Sequence, residues 1–275
     1  MAVRQQLEDA LTHREAVFHD AWASHTRLDD ILVRECFEAP TAMENQFILG
    51  RMGPLPGKTL LDIGAGLGES SVYFALQGAN VTTVDVSPQM VYTVLRLGKK
   101  FGVELEGIVC EGENLNVPSD HYDVIYIANT IHHVQDRASL FQQMRRALKP
   151  GGMFFSYDPL IYNPFINIYR RMATAVRTPD ESPLSVADVK LARKYFSHVG
   201  HREFWISGLL LFAKYYLVDG VHPNADRYWK RILREKPERL RWWFPLRGLD
   251  SVLTRVPLLR WLAWNVVIWG QKPTL

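Results

Sequence analysis

The stretch Thr59-Leu60-Leu61-Asp62-Ile63-Gly64-Ala65-Gly66-Leu67-Gly68-Glu69-Ser70 limits the fold more than any other part of this 275-residue chain. It reads as a short apolar strand, a glycine-rich turn and a helix start. Glycine permits positive φ and close backbone approach, and the helix N-terminus that follows offers unpaired N–H groups. A strand that ends in an acid and runs into such a turn presents bare backbone to something small and polar.

The strand–helix alternation continues from there. A helix from Glu69 places Val72, Ala75 and Leu76 on one face and stops at Gly78. Val81–Asp85 is β-branched and ends in a second acid, and Ser87-Pro88 is an N-cap followed by proline at the first helical position. Further strands are expected at Leu105–Cys110, Tyr122–Ile127 and Met153–Ser156. Asp136 caps a helix that Lys149-Pro150-Gly151-Gly152 breaks. Arg202–Ile206 and Trp264–Trp269 are the expected sixth and seventh strands, side by side. Five strand–helix repeats predict a parallel, doubly wound sheet with right-handed crossovers. Ligands of such sheets bind beyond the strand C-terminal ends, where Asp62, Asp85, Glu111 and the stretch Ile127–His133 fall.

The glycine spacing decides which ligand. A dinucleotide fingerprint G-x-G-x-x-G needs glycine where Glu69 stands, and no Walker lysine follows the turn. Asp62-Ile63-Gly64-Ala65-Gly66-Leu67-Gly68 instead resembles the D-x-G-x-G-x-G signature of class I S-adenosylmethionine-dependent methyltransferases. Val84-Asp85-Val86-Ser87, Cys110-Glu111-Gly112-Glu113-Asn114-Leu115 and Leu148-Lys149-Pro150-Gly151-Gly152 match further family segments in order and spacing. The chain is most similar to the ubiquinone/menaquinone-biosynthesis-like group, the type 11 methyltransferase domain, over residues 59–156.

The resemblance implies a Rossmann-like α/β fold: a seven-stranded, mostly parallel sheet with helices on both faces. Around it are expected an N-terminal helical cap (1–50), a core (51–207) with a lid around 157–183, a helical insertion (208–262) and a last strand and tail (263–275). It implies S-adenosylmethionine as cofactor and S-adenosylhomocysteine as product. Asp62 is then expected near the methionine amino group, with Gly64, Ala65, Gly66 and Gly68 cradling the methionine part. Asp85, followed by Val86, offers two oxygens to the ribose hydroxyls. Glu111, in place of the usual Asp, faces the adenine with Gly112 and Glu113. Ile127 and Ala128 line the methionine end. His132, His133 and Asp158 are the candidate catalytic residues, the histidines as bases or as structural members of the turn. His19, Trp22, Tyr157, Tyr162 and Asn163 are candidate acceptor contacts, and no metal-ligating set is expected.

The C-terminal quarter is chemically distinct. Residues 226–260 hold ten Lys/Arg and four Asp/Glu, a local +6 within a net charge of +3, so the remainder is −3. Seven of the eight tryptophans lie between Trp205 and Trp269. Trp242-Trp243-Phe244 beside Arg239, Arg241 and Arg247, followed by Leu258-Leu259-Arg260-Trp261-Leu262, resembles interfacial amphipathic helices, which suits a lipid-like acceptor and membrane contact through 226–262. The alternative is packing on the core as a lid or dimer face. Nucleic acid is disfavoured, because +3 is modest and no RNA-binding module is visible. Two cysteines, no signal-peptide core and no long apolar run point to a cytoplasmic protein. The expected activity is methyl transfer to an O, N or C nucleophile of a small or lipophilic acceptor. A catalytically silent cofactor-binding scaffold and a nucleotide-dependent oxidoreductase are the alternatives.

Overall fold

The computed structural model describes residues 2–178 and 181–274; residues 1, 179, 180 and 275 of the expected cap, lid and tail lie outside the described residues. Seven strands form one sheet: β1 (Thr59–Ile63), β2 (Asn80–Asp85), β3 (Glu106–Val109), β4 (Tyr122–Ala128), β5 (Leu148–Pro159), β6 (Ser197–Phe204) and β7 (Asn265–Gln271). Their order is β3-β2-β1-β4-β5-β7-β6. β1 to β5 pair in parallel, and β7 lies antiparallel between β5 and β6. Helices α1 (Ala2–His25), α2 (Glu35–Glu38) and α3 (Met43–Met52) precede the sheet. Helices α4 (Glu69–Leu76), α5 (Pro88–Phe101), α6 (Arg137–Ala147), α7 (Pro164–Met172) and α8 (Val186–Tyr195) alternate with its strands. Helices α9 (Leu210–Leu217), α10 (Tyr228–Arg231) and α11 (Phe244–Leu253) fill the connection from β6 to β7.

Strand side chains alternate between two apolar layers, as the period of two requires. Leu60, Val124, Tyr126, Phe155 and Val267 join Val72, Phe74 and Leu97 of α4 and α5. Leu61, Ile63, Ile125, Ile127 and Ile268 join Leu140, Phe141 and Met144 of α6 and Val189 of α8. Burial on both faces explains why β4 reads as an apolar run from Val124 to Ile127. The helix starts carry their expected caps. Ser87 accepts the Met90 N–H with Pro88 at the first helical position, Asp136 accepts from Ala138 and Ser139, and Ser185 with Asp188 forms a capping box.

The structure corrects three local expectations. No α-helix joins β3 to β4; a single 3₁₀ turn, Gly112–Asn114, does, so the strand–helix repeat lapses there. Strand β5 begins at Leu148, not Met153: Lys149–Gly152 is absorbed as an irregularity between the Tyr122–Leu148 and Val124–Met153 pairs. Gly151 takes φ +80° there, and a Cβ on Gly152 would meet the Asp123 carbonyl at 3.1 Å. Strand β6 begins at Ser197 rather than Arg202. Its first residues hide behind a register shift and a positive φ at His198, so no alternation marks them.

The tryptophan-rich region is mostly interior. Trp205 and Trp243 are fully buried with ring centroids 5.1 Å apart, and Trp243 Nε1 donates to the Gly208 carbonyl. The N-terminal helices and the β6–β7 connection pack together. Thr41 donates to the Ile232 carbonyl at 2.7 Å, and Asn265, the first residue of β7, donates to Glu44 at 2.6 Å. No helix among the described residues is long and apolar enough to cross a membrane.

Candidate active site

The turn after β1 uses its three glycines for three different reasons. Gly64, Gly66 and Gly68 all have positive φ, at +68°, +54° and +94°. A Cβ on Gly64 would collide with the Thr130 side chain, and one on Gly68 would lie 2.9 Å from Val94. A Cβ on Gly66 would meet nothing within 4 Å, because that residue borders the cavity. Only at Gly66 is the open space reserved for something other than protein.

Two buried acids flank this turn. Asp62 accepts hydrogen bonds from the hydroxyls of Ser70 and Ser71, each at 2.6 Å, yet burial pushes its carboxyl up to about 6. Asp85 accepts the Gly66 N–H at 2.9 Å on one oxygen and the Ser87 N–H at 3.0 Å on the other, and burial raises it as well. Each oxygen of Asp85 therefore has one lone pair engaged and one remaining.

Both acids line a cavity of about 630 Å³ that opens beyond the C-terminal ends of β1, β2 and β4. Gly64, Ala65, Gly66, Val86, Glu111, Gly112, Glu113 and Ala128 also line it. Gly68 does not: it caps α4 and packs on Val94. Ile127 is fully buried in the apolar layer beside α6, also away from the cavity. Of the acceptor candidates, His19, Trp22 and Tyr157 reach the cavity. Tyr162 and Asn163 are not brought there. The Tyr162 hydroxyl accepts the Val186 N–H, and Asn163 caps α7 while donating to the Leu262 carbonyl.

Of the three catalytic candidates, Asp158 is completely buried and sits behind His132 rather than on the cavity wall. His132 Nδ1 lies 2.8 Å from Asp158 Oδ1, and the His132 backbone N–H donates to the same oxygen at 3.2 Å. Burial drives His132 well below and Asp158 well above their ordinary values. Both directions favour the uncharged form of each partner. The pair pins the turn Ile131–His133 to the end of β5. His133, held by that turn, faces the cavity and meets two residues of α1, the first not singled out in the sequence and the second an expected acceptor contact.

Those residues are Glu15 and, one turn later, His19. Glu15 Oε2 lies 3.2 Å from His133 Nδ1 and 3.4 Å from His19 Nε2. Burial would raise the Glu15 carboxyl, but the two imidazoles outweigh it and hold it far below the usual range. The spacing Glu15-x-x-x-His19 was the available signal, since i and i+4 share a helix face.

The β6–β7 connection closes the other side. Lys230 Nζ lies 2.5 Å from Glu69 Oε1 at the first residue of α4, both largely buried. Arg227 and Lys230 stand 4.0 and 4.7 Å from the Trp22 ring, and Trp229 meets its edge at 6.0 Å. Aromatic side chains of α1, α7 and this connection, including Phe18, Trp22, Tyr169 and Trp229, make the chamber wall opposite the glycine turn.

Residues 61–156 match the sequence profile of the methyltransferase domain. Phosphoethanolamine N-methyltransferase 1 of Zea mays is 39% identical over 106 residues, 38% of this chain and 21% of that protein. The chain thus spans about a fifth of the length of that relative. A ubiquinone/menaquinone biosynthesis C-methyltransferase of Paraburkholderia phytofirmans is 26% identical over 161 residues, 56% of this chain and 63% of that one. Among solved structures, Haemonchus contortus phosphoethanolamine N-methyltransferase 2 in complex with S-adenosylmethionine superposes with a TM-score of 0.56. It is 22% identical and covers 84% of this chain and 52% of that chain.

Sheet order, glycine turn and profile together define a class I S-adenosylmethionine-dependent methyltransferase domain. Over and around that domain the chain is similar to phosphoethanolamine N-methyltransferases and to ubiquinone/menaquinone biosynthesis C-methyltransferases.

Proposed function

We propose that this chain methylates an O, N or C nucleophile on an amphipathic acceptor, one with an apolar body and a polar reacting end. One observation carries the reading: a single cavity joins the glycine turn, Asp62 and Asp85 to an aromatic chamber that holds a cluster of titratable side chains. The residues present fit the cofactor. Gly66 borders open space, and Asp85 keeps one acceptor lone pair on each oxygen for a diol. Asp62 would face the methionine amino group, Gly64 to Gly66 the methionine backbone, and Glu111 to Glu113 the adenine.

When bound, the cofactor supplies a sulfonium-activated methyl group that the acceptor's nucleophile takes as the bond to sulfur breaks. The protein's own contribution is orientation and exclusion of water. The Asp85 carboxylate, held by two backbone N–H groups, is pre-aimed. The Lys230–Glu69 pair ties the β6–β7 connection over the glycine turn. His132 and Asp158 act as positioning residues that fix the turn bearing His133.

A second observation favours a lipid-like acceptor. Phe165 and Ile168 on the outer face of α7 are 70% and 55% exposed, and Leu258 is 84% exposed. The Tyr162–Trp261 ring contact and the Asn163–Leu262 hydrogen bond join the start of α7 to the segment that follows Leu258. Arg171, Arg255 and Arg260 lie in the same segments, so the charge suits anionic headgroups. Leu258, Arg255 and Arg260 fall within the expected contact region 226–262; Trp243, completely buried, takes no part in it, whereas Trp242 is 41% exposed.

Calorimetry with S-adenosylhomocysteine, followed by an assay for S-adenosylhomocysteine release against lipid and quinone-precursor extracts, tests the reading. Tight binding with acceptor-dependent turnover is expected. Binding without turnover on any acceptor supports the scaffold alternative, and no binding removes the methyltransferase reading.

A further inference from the structure

Glu15, His19 and His133 bring three potential ligand atoms within 4.8 Å of one another on the cavity wall. The geometry is not that of a hydrogen-bonded triad. The two imidazole nitrogens stand 3.2 and 3.4 Å from the same oxygen, Glu15 Oε2, beyond the roughly 2.7–2.9 Å of charge-assisted hydrogen bonds. That oxygen is buried without a hydrogen-bond partner. Leaving such atoms unsatisfied is costly. The spacing instead matches the edge of a coordination tetrahedron. Bonds of about 2.0–2.1 Å from a central ion to nitrogen and oxygen place neighbouring ligand atoms about 3.3–3.5 Å apart.

We propose that Glu15, His19 and His133 form a binding site for a divalent transition ion of the zinc type. Two imidazoles and a carboxylate are the ligand set such ions take, and three protein ligands leave one position open. All three residues line the cavity, so the open position faces the acceptor chamber. Resting on the methyltransferase reading, the site narrows the acceptor's nucleophile to an oxygen donor. Bound to the ion, that donor loses its proton to solvent at lower pH than when free.

His133 also belongs to a second cluster, with His132 and Glu181. That cluster is the poorer candidate. His132 Nδ1 is held by Asp158, and Glu181 is ion-paired with Arg177. His132 and Asp158 then serve the site as positioning residues for the turn that presents His133.

The full chain, stripped of metal with a chelator, is titrated with Co²⁺ as the spectroscopic probe. One Co²⁺ per chain is expected, with the intense visible absorption of a four- or five-coordinate ion, and Zn²⁺ displaces it. Glu15→Gln and His19→Gln each weaken uptake by at least about tenfold, whereas His25→Gln, on the exposed end of the same helix, leaves it unchanged. On the unsubstituted chain, Zn²⁺ protects His19 and His133 from diethyl pyrocarbonate, read by mass spectrometry, so the test does not depend on variants that fold. No Co²⁺ uptake, uptake indifferent to Glu15→Gln and His19→Gln, or no protection of these histidines overturns the site. S-adenosylhomocysteine binding to the chelated protein is measured in parallel. If it binds and Co²⁺ does not, only the metal site fails; if Co²⁺ binds and it does not, only the methyltransferase reading fails.

Discussion

At the residue scale, the three turn glycines make separable demands. Gly64→Ala and Gly66→Ala both incur the left-handed strain of about 1–2 kcal/mol, but only the first drives a methyl group into Thr130. We expect Gly64→Ala to cost about 1–3 kcal/mol more than Gly66→Ala in urea denaturation. Gly66→Ala should instead weaken S-adenosylhomocysteine by at least about tenfold, because its Cβ enters the space left for the ligand. Equal stability losses would contradict the packing role given to Gly64. Asp62 makes a pH-dependent prediction. Its folded value of about 6 lies above the ordinary 3.8, so the cofactor-free protein favours its protonated form. Its ionisation therefore costs stability as pH rises from about 4 to above about 6. A cationic amino group binds the ionised form, so cofactor affinity should fall as pH drops through 6, by up to about tenfold per unit. Asp62→Asn should flatten that profile in calorimetry at several pH values. Asp85→Ala removes acceptors for two backbone N–H groups as well as the ribose contacts, so it should lose stability and affinity together.

At the scale of elements, the β6–β7 connection is the part whose role changed most between sequence and structure. Its tryptophans read as an interfacial helix, but Trp205, Trp243 and Trp264 are interior, and Trp229 faces the cavity. Phe165 and Ile168 of α7 and Leu258 are among the most exposed large apolar side chains, while Trp242 stays partly exposed. Flotation with anionic liposomes should therefore be lost in a Phe165→Ser, Leu258→Ser double variant by at least about tenfold, since each side chain buries about 1.5–3 kcal/mol of apolar surface. Flotation that survives this change would place membrane contact elsewhere. The Lys230–Glu69 pair ties the connection to the first residue of α4, and under the proposed function the connection would cover the cofactor. Lys230→Met should leave Glu69 buried without its cation, weaken S-adenosylhomocysteine roughly tenfold and increase limited proteolysis within 218–227, as mass spectrometry of the fragments would report. An unchanged cleavage pattern would argue against the cover.

At the scale of the whole molecule, cofactor and fold should be thermodynamically linked, because the cavity is assembled from α1, four strand ends and the β6–β7 connection. S-adenosylhomocysteine at a hundred times its dissociation constant should add about 2.7 kcal/mol of stability, visible as a shift of several degrees in Tm. What the sequence by itself determined was the sheet and its cofactor edge. Glycines, strand-end acids and caps are local, and their spacing along the chain is their spacing in space. Asp62, Asp85, Ser87 and Asp136 were legible for that reason. The start of β6 was not, because its register shift and positive φ erase the alternation that marks a strand. Nor was the irregular entry to β5, whose proline and glycines read as a stop. The acceptor side was decided only by the tertiary structure. Glu15 meets His133 across more than a hundred residues, Lys230 reaches Glu69 across 161, and Trp243 is buried by partners that no periodicity names. Such contacts depend on how the N-terminal helix and the β6–β7 connection fold back over the strand ends, and that packing leaves no local pattern in the chain.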